Sequence, residues 1–144
     1  MKGKVLLKIG NISVSSANNE TIPQKLNENH CHDFYEILYV IKGTGKYLVE
    51  GAEFVVRPRT LMLFRPFAYH RVSIDEDGGY ERLVIHFPKT AVPAQALSML
   101  ERISGDDDVS GSYYPPSAIP ETLLSAFDRF EVAASLPRRS EGRM

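Results

Sequence analysis

The chain has 144 residues, enough for one domain that buries a core without disulfide staples. Its 17 Lys+Arg against 18 Asp+Glu leave no basic excess with which to grip a phosphate backbone, so direct nucleic-acid binding by this chain is not expected. A single cysteine, Cys31, excludes an intrachain disulfide and fits a reducing compartment. No basic-then-apolar leader occurs, nor any apolar run near the ~18 residues of a membrane span, so a soluble cytoplasmic protein is expected, with no membrane partner.

In chain order, Val5 to Ile9 is a short apolar segment that reads as a first strand. Asn11 to Asn29 is polar and contains Pro23; it reads as irregular chain around one short strand at Ile12 to Val14. From His30 to Phe87, runs of β-branched, aromatic and aliphatic residues alternate with turn signals at Gly43-Thr-Gly45, Glu50-Gly51, Pro58-Arg-Thr60, Arg65-Pro66 and Asp75 to Gly79. Short strands at such spacing predict an antiparallel sandwich or barrel, and no crossover helix fits between them. Side chains alternate along a strand, so Glu36, Leu38, Val40 and Lys42 share one face while Tyr35, Ile37, Tyr39 and Ile41 share the other. Both faces are largely apolar. This strand is therefore expected to be covered twice, once by the barrel interior and once by a C-terminal helix or a second subunit.

After Phe87 the period lengthens. Val92 to Ile103 sets Leu97, Leu100 and Ile103 at helical spacing. Gly105 to Gly111 reads as a loop continued by Pro115-Pro116, and Pro120 with Glu121 opens a second helix bearing a Leu123/Leu124/Phe127/Phe130 stripe. That stripe either folds back on the barrel or pairs with a second copy, because a helix of this length is only marginally stable alone.

The residues with chemistry cluster around His30, His32, Glu36 and His70. On an extended segment His30 and His32 point to one side, ~7 Å apart at the backbone, and could converge on one cation with bonds of ~2.1 Å. On a straight strand Glu36 would lie ~13 Å from His32. The chain must bend between them, and Asp33 is a suitable turn residue. Three imidazoles and a carboxylate suit Fe, Mn, Ni or Zn. Without a metal the same groups make a hydrogen-bonding floor for a small polar ligand, or a satisfied structural network. Farther on, Tyr80, Arg82, Val84 and His86 share one strand face, and the aromatic, guanidinium and imidazole could wall a pocket for a hydroxylated or carboxylated ligand. The alternative is a solvated Arg82 and a core histidine at His86. Lys42, Arg57, Arg59 and Arg65 read as surface charges, and Cys31 as a buried, inert thiol.

These residues carry a resemblance. His30-x-His32, Glu36 and Gly43 resemble the first cupin motif; Gly51 to Pro58 followed by Pro66-x-x-x-His70 is similar to the second. Gln24, Thr60 and Ile74 depart from the glycine, glycine and asparagine of those motifs. The runs His32 to Val40, Val55 to Pro58, Leu61 to Pro66 and Leu83 to Phe87 resemble the N-terminal sensor and dimerisation domain of AraC-type transcription regulators. The resemblance implies an all-β fold, a cupin-type jelly-roll barrel with two C-terminal α-helices. It divides the chain into a barrel over residues 1–88, a helical appendage over 89–136 and a tail or linker over 137–144. It further implies a sugar-like or other small-metabolite effector, a homodimer, no catalysis, DNA contact only through a helix-turn-helix domain absent from this chain, and in most such sensors no metal. The competing reading is a small metal-dependent cupin enzyme, a dioxygenase or isomerase, with His30, His32, Glu36 and His70 as ligands of a divalent transition metal.

Overall fold

A computed structural model describes residues 2–19, 31–75, 79–103 and 113–135. Among the described residues nine strands carry the fold: β1 (Lys2–Ile9), β2 (Ile12–Asn19), β3 (Tyr35–Lys42), β4 (Gly45–Val49), β5 (Ala52–Val56), β6 (Leu61–Phe64), β7 (His70–Ile74), β8 (Tyr80–Phe87) and β9 (Tyr113–Tyr114). Two helices, α1 (Ala94–Ile103) and α2 (Glu121–Ser135), follow the last long strand. Every ladder is antiparallel. The strands form a six-stranded sheet, β1-β2-β8-β3-β6-β9, and a three-stranded sheet, β5-β4-β7. Between β3 and β8 the chain passes repeatedly from one sheet to the other, and this makes the architecture a jelly roll. No ladder joins the two sheets among the described residues, so the shell is a pinched pair of sheets rather than one continuous cylinder.

The inner core lies between the sheets. Leu38, Val40, Met62, Phe64 and Tyr80 from the large sheet meet Tyr47, Val49, Val56 and Val72 from the small one. A second apolar layer covers the outside of the large sheet, where Tyr39 and Leu83 pack against Ile119, Leu124 and Phe127. The alternation read along β3 therefore has both expected covers, with α2 on the outer one. Leu124 and Phe127 turn to the sheet, whereas Leu123 and Phe130 remain 40% exposed. Arg59, read from sequence as a surface charge, instead ties this helix down. Its Nη2 lies 2.8 Å from Asp128 Oδ2 and 3.4 Å from Glu121 Oε1, and Tyr39 Oη donates to Asp128 Oδ1 at 2.9 Å. Burial, the largest influence, and the Asp128 carboxylate push the Tyr39 phenol up to about 12 against the opposing Arg59 charge, so it stays a donor at neutral pH.

Three sequence expectations are corrected. The Asn11 to Asn29 segment is not irregular around one short strand: β2 runs the full eight residues Ile12–Asn19 and is tied to β1 and β8 by ladders, whose backbone bonds override a polar sequence. The rest of that segment, with Pro23 and Gln24, lies outside the described residues, as do the expected loop at Gly105 to Gly111 and the tail from Pro137. Tyr113–Tyr114, passed over as loop, pairs with β6. Cys31 is half-buried rather than buried, with its thiol against the Tyr69 hydroxyl.

Two glycines are set by local geometry. A Cβ on Gly45 would stand 2.1 Å from the Ser73 carbonyl oxygen, so only glycine allows β4 to approach β7 there. Gly51, with Glu50, closes the β4–β5 hairpin at φ +83° and +49° respectively, the left-handed pair that a two-residue hairpin turn needs. Open space surrounds the Gly51 Cβ position. Gly51→Ala should therefore cost only the backbone strain, about 1 kcal/mol, and lower the thermal midpoint by a few degrees in a melt followed by circular dichroism.

Candidate functional site

The inner faces of β3 and β8 meet where Glu36 lies directly across the ladder from His86. Residues paired in this way project to the same side of the sheet. Glu36 Oε1 accepts from His86 Nε2 at 2.7 Å and is 3.6 Å from His32 Nε2; its Oε2 is 3.9 Å from His70 Nε2. One carboxylate, 7% exposed, thus faces three imidazoles. Burial pushes the Glu36 carboxyl up, but the His86 hydrogen bond and the nearby imidazoles of His70, His86 and His32 outweigh it, and the group is held below its ordinary value.

Local structure explains how the imidazoles arrive. The chain bends at Asp33–Phe34, which brings His32 back over Glu36 as the spacing required. The Phe67 N–H donates to the His32 carbonyl at 2.6 Å, with Phe67 at φ +64°, and so ties the Pro66–Ala68 turn to the segment bearing His32. His70 Nδ1 lies 2.9 Å from the Ala68 carbonyl oxygen. A carbonyl only accepts, so Nδ1 carries the proton and Nε2 is the nitrogen aimed at Glu36. Phe64, opposite Glu36 on β6, stacks on His70 with centroids 4.0 Å apart and planes at 2°. Phe34 stacks on His32 at 4.8 Å and packs on His86 at 4.5 Å.

Of the residues singled out from sequence, His32, Glu36 and His70 come together, with one ligand atom from each lying within 4.8 Å of the others. His30 lies outside the described residues. His86, grouped from sequence with Tyr80 and Arg82, joins the Glu36 cluster. Tyr80 and Arg82 sit at the other end of β8 in a separate buried group. There the Arg82 guanidinium lies 4.3 Å over the Tyr80 ring and donates from Nη1 to Asn19 Oδ1 at 2.7 Å. The hydroxyls of Tyr80 and Tyr47 share a hydrogen bond of 2.5 Å, and burial is the main influence raising both phenols, Tyr80 to about 12. Arg82 is thus not the solvated outer-face arginine of the alternative reading. Lys42 is exposed beyond the bulge between Val40 and Lys42. The sequence reading missed Phe34, Phe64, Asn19 and Tyr47. Strand parity offered a signal for Phe64 and Tyr47, but none without a register.

The donor set fits a divalent transition metal. Two imidazoles and a carboxylate converge, and the His70 Nδ1–H is committed to a carbonyl, which leaves Nε2 to act as a ligand when neutral. The same groups equally form a polar floor for an organic ligand. A cavity of about 590 Å³ opens on the His86 side of the cluster, lined in part by Phe34, His86, Ser13 and Lys8. This volume lies within the range that holds small metabolites.

Comparison with known proteins places the fold and the family. The profile of the AraC-like ligand binding domain matches residues 19–141. An uncharacterized HTH-type transcriptional regulator of Bacillus subtilis (strain 168), YfiF, is 24% identical over 110 residues, covering 69% of this chain. The chain spans only 35% of that relative's length. Among solved structures, a cupin protein from Bacteroides fragilis superimposes with a TM-score of 0.53 at 17% identity, covering 65% of this chain and 81% of that one. A cupin-like protein from Thermotoga maritima gives a TM-score of 0.51 at 19% identity, covering 63% and 71%. At such identities these two likenesses show the fold, and the fold is the cupin jelly roll. With the profile extending over most of its length, the chain belongs to the AraC-like ligand-binding domain family.

Proposed function

We propose that this chain is the effector-sensing domain of an AraC-type transcription regulator and performs no catalysis of its own. The observation that supports it best is the ionised, buried Glu36 among three imidazoles, one of which, His86, also lines a metabolite-sized cavity. Polar groups so placed hold a ligand by charge-assisted hydrogen bonds. The candidate contacts are His32, Glu36, His70 and His86, with His30 outside the described residues. The buried Tyr80/Arg82 group would shape the far end of the interior. Ligand binding would shift the population of barrel and helix arrangements. A DNA-binding domain outside this chain would read that shift, and a homodimer would form through the exposed Leu123 and Phe130 edge of α2. In this reading residues 1–88 are the ligand shell and 89–136 the helical appendage, with 137–144 leading onward.

The second reading, a metal-dependent cupin enzyme, is favoured by the convergence of His32, Glu36 and His70 within 4.8 Å. A divalent transition metal held there would supply a Lewis-acidic anchor for an oxygen-bearing ligand. Elemental analysis of protein purified without chelator separates the two. Substoichiometric metal, together with a melting temperature raised by small metabolites in the presence of EDTA, is the expected result for the sensor. One transition metal per chain, lost in His70→Ala and needed for turnover of any cupin-type substrate, would replace it with the enzyme.

A further inference from the structure

The 590 Å³ cavity lies between the β1–β2 hairpin and the chain around Asp33 and Phe34, with His86 on its wall. Glu36 stands behind His86 and does not line it, so the acid on the wall is Asp33 and the cation is Lys8. In the order β1-β2-β8-β3, Lys8 on β1 is three strand spacings of ~4.8 Å from the strand into which Asp33 leads, about 14 Å between backbones. Side chains reaching in from the two sides leave a gap that one small ligand can bridge. Both are exposed, and among the described residues no ion pair joins them or engages either. Glu36 Oε1 takes the Nε2 of His86 at 2.7 Å. A carboxylate only accepts, so Nε2 carries the proton and Nδ1 is the ring nitrogen left for a ligand. Phe34, Phe87, Pro88 and Val5 supply the apolar part of the wall.

Resting on the sensor reading, we propose that the effector is a zwitterion with an apolar side chain, a free amino acid or a short peptide. Lys8 holds its carboxylate, Asp33 holds its ammonium, and the apolar side chain packs on Phe34. The assignment follows by elimination over charge. An anion bound at Lys8 would meet the Asp33 carboxylate in the same space, and a cation bound at Asp33 would meet the Lys8 ammonium. A neutral ligand would draw on neither charge. One ligand bearing both signs gains a charge-assisted hydrogen bond at each side. Nδ1 of a neutral His86 accepts from a second N–H of the ammonium, while its Nε2–H stays on Glu36. His86 thereby carries occupation of the groove to the buried carboxylate.

The test is calorimetric titration of the full chain, in EDTA, with leucine and phenylalanine, with dileucine, and with the amide and N-acetyl forms of the two amino acids. The amides lack the carboxylate and the N-acetyl forms lack the ammonium. We expect the zwitterions to bind at least tenfold more tightly than both capped forms, and leucine against dileucine tells free amino acid from peptide. Lys8→Gln should abolish the preference over the amides, and Asp33→Asn the preference over the N-acetyl forms. Both positions are exposed, so neither change disturbs the core. Capped forms binding as tightly as the zwitterions, a preference untouched by either substitution, or no binding by any of these compounds would overturn the ligand class. The sensor reading is judged separately, by whether a broader metabolite panel raises the melting temperature of wild-type chain and fails to do so in Glu36→Gln.

Discussion

Glu36→Ala is expected to destabilise the metal-free protein by about 3 kcal/mol, because it removes the one carboxylate that three imidazoles share in a buried setting and opens a hole between β3 and β8. Urea denaturation at pH 7 in EDTA, compared with wild type, measures it. A loss below about 0.5 kcal/mol would mean that the cluster is solvated and not a built floor. The same carboxylate sets a pH dependence whose sign follows from its lowered value. A group more acidic in the folded chain than in the unfolded one contributes stability above its unfolded value, here 4.5. That contribution is lost as pH falls through the folded value, which lies below 4.5. Wild-type stability should therefore drop on acidification below pH 4.5 more steeply than that of Glu36→Gln, whose side chain does not titrate. Parallel curves for the two proteins would remove Glu36 from the account.

Phe127→Ala should cost about 3 to 4 kcal/mol and loosen α2 before the barrel. Phe127 stacks on Tyr39 with centroids 4.5 Å apart and planes at 12°, and with Leu124 it is the apolar anchor of a helix tied also by Asp128 to Tyr39 and Arg59 and by Glu121 to Arg59. Hydrogen exchange followed by mass spectrometry should show α2 amides losing protection while β4 and β7 keep theirs. Uniform loss across the chain would mean that helix and barrel unfold as one unit. The result bears on sensing as well, since β3 carries Glu36 on its inner face and Tyr39 on its outer one. If an effector at Glu36 is read out through α2, Phe127→Ala should retain effector binding at the barrel while the protection that binding confers on α2 disappears.

By itself the sequence determined the local part of this architecture. Short apolar runs between turn residues made β3 to β8 readable, because the two-residue period and the demand for left-handed backbone at Gly51 are properties of neighbouring residues. Helical spacing did the same for α1 and α2, and the doubly apolar β3 showed that both its faces would be covered. The need for a bend at Asp33 followed from chain length alone. Only the tertiary structure decided register. His86 stands opposite Glu36 although fifty positions separate them in sequence, and this pairing moved it from the Arg82 group to the carboxylate. The pairing of Ser13 with His86 was invisible for the same reason: a side chain's partner across a ladder depends on which strands become neighbours, and the energy that selects them is spread over the whole packed core. Likewise β2, polar in sequence, became a strand because two neighbouring ladders satisfied its backbone, and Arg59 became an anchor because a helix more than sixty residues later put Asp128 within its reach.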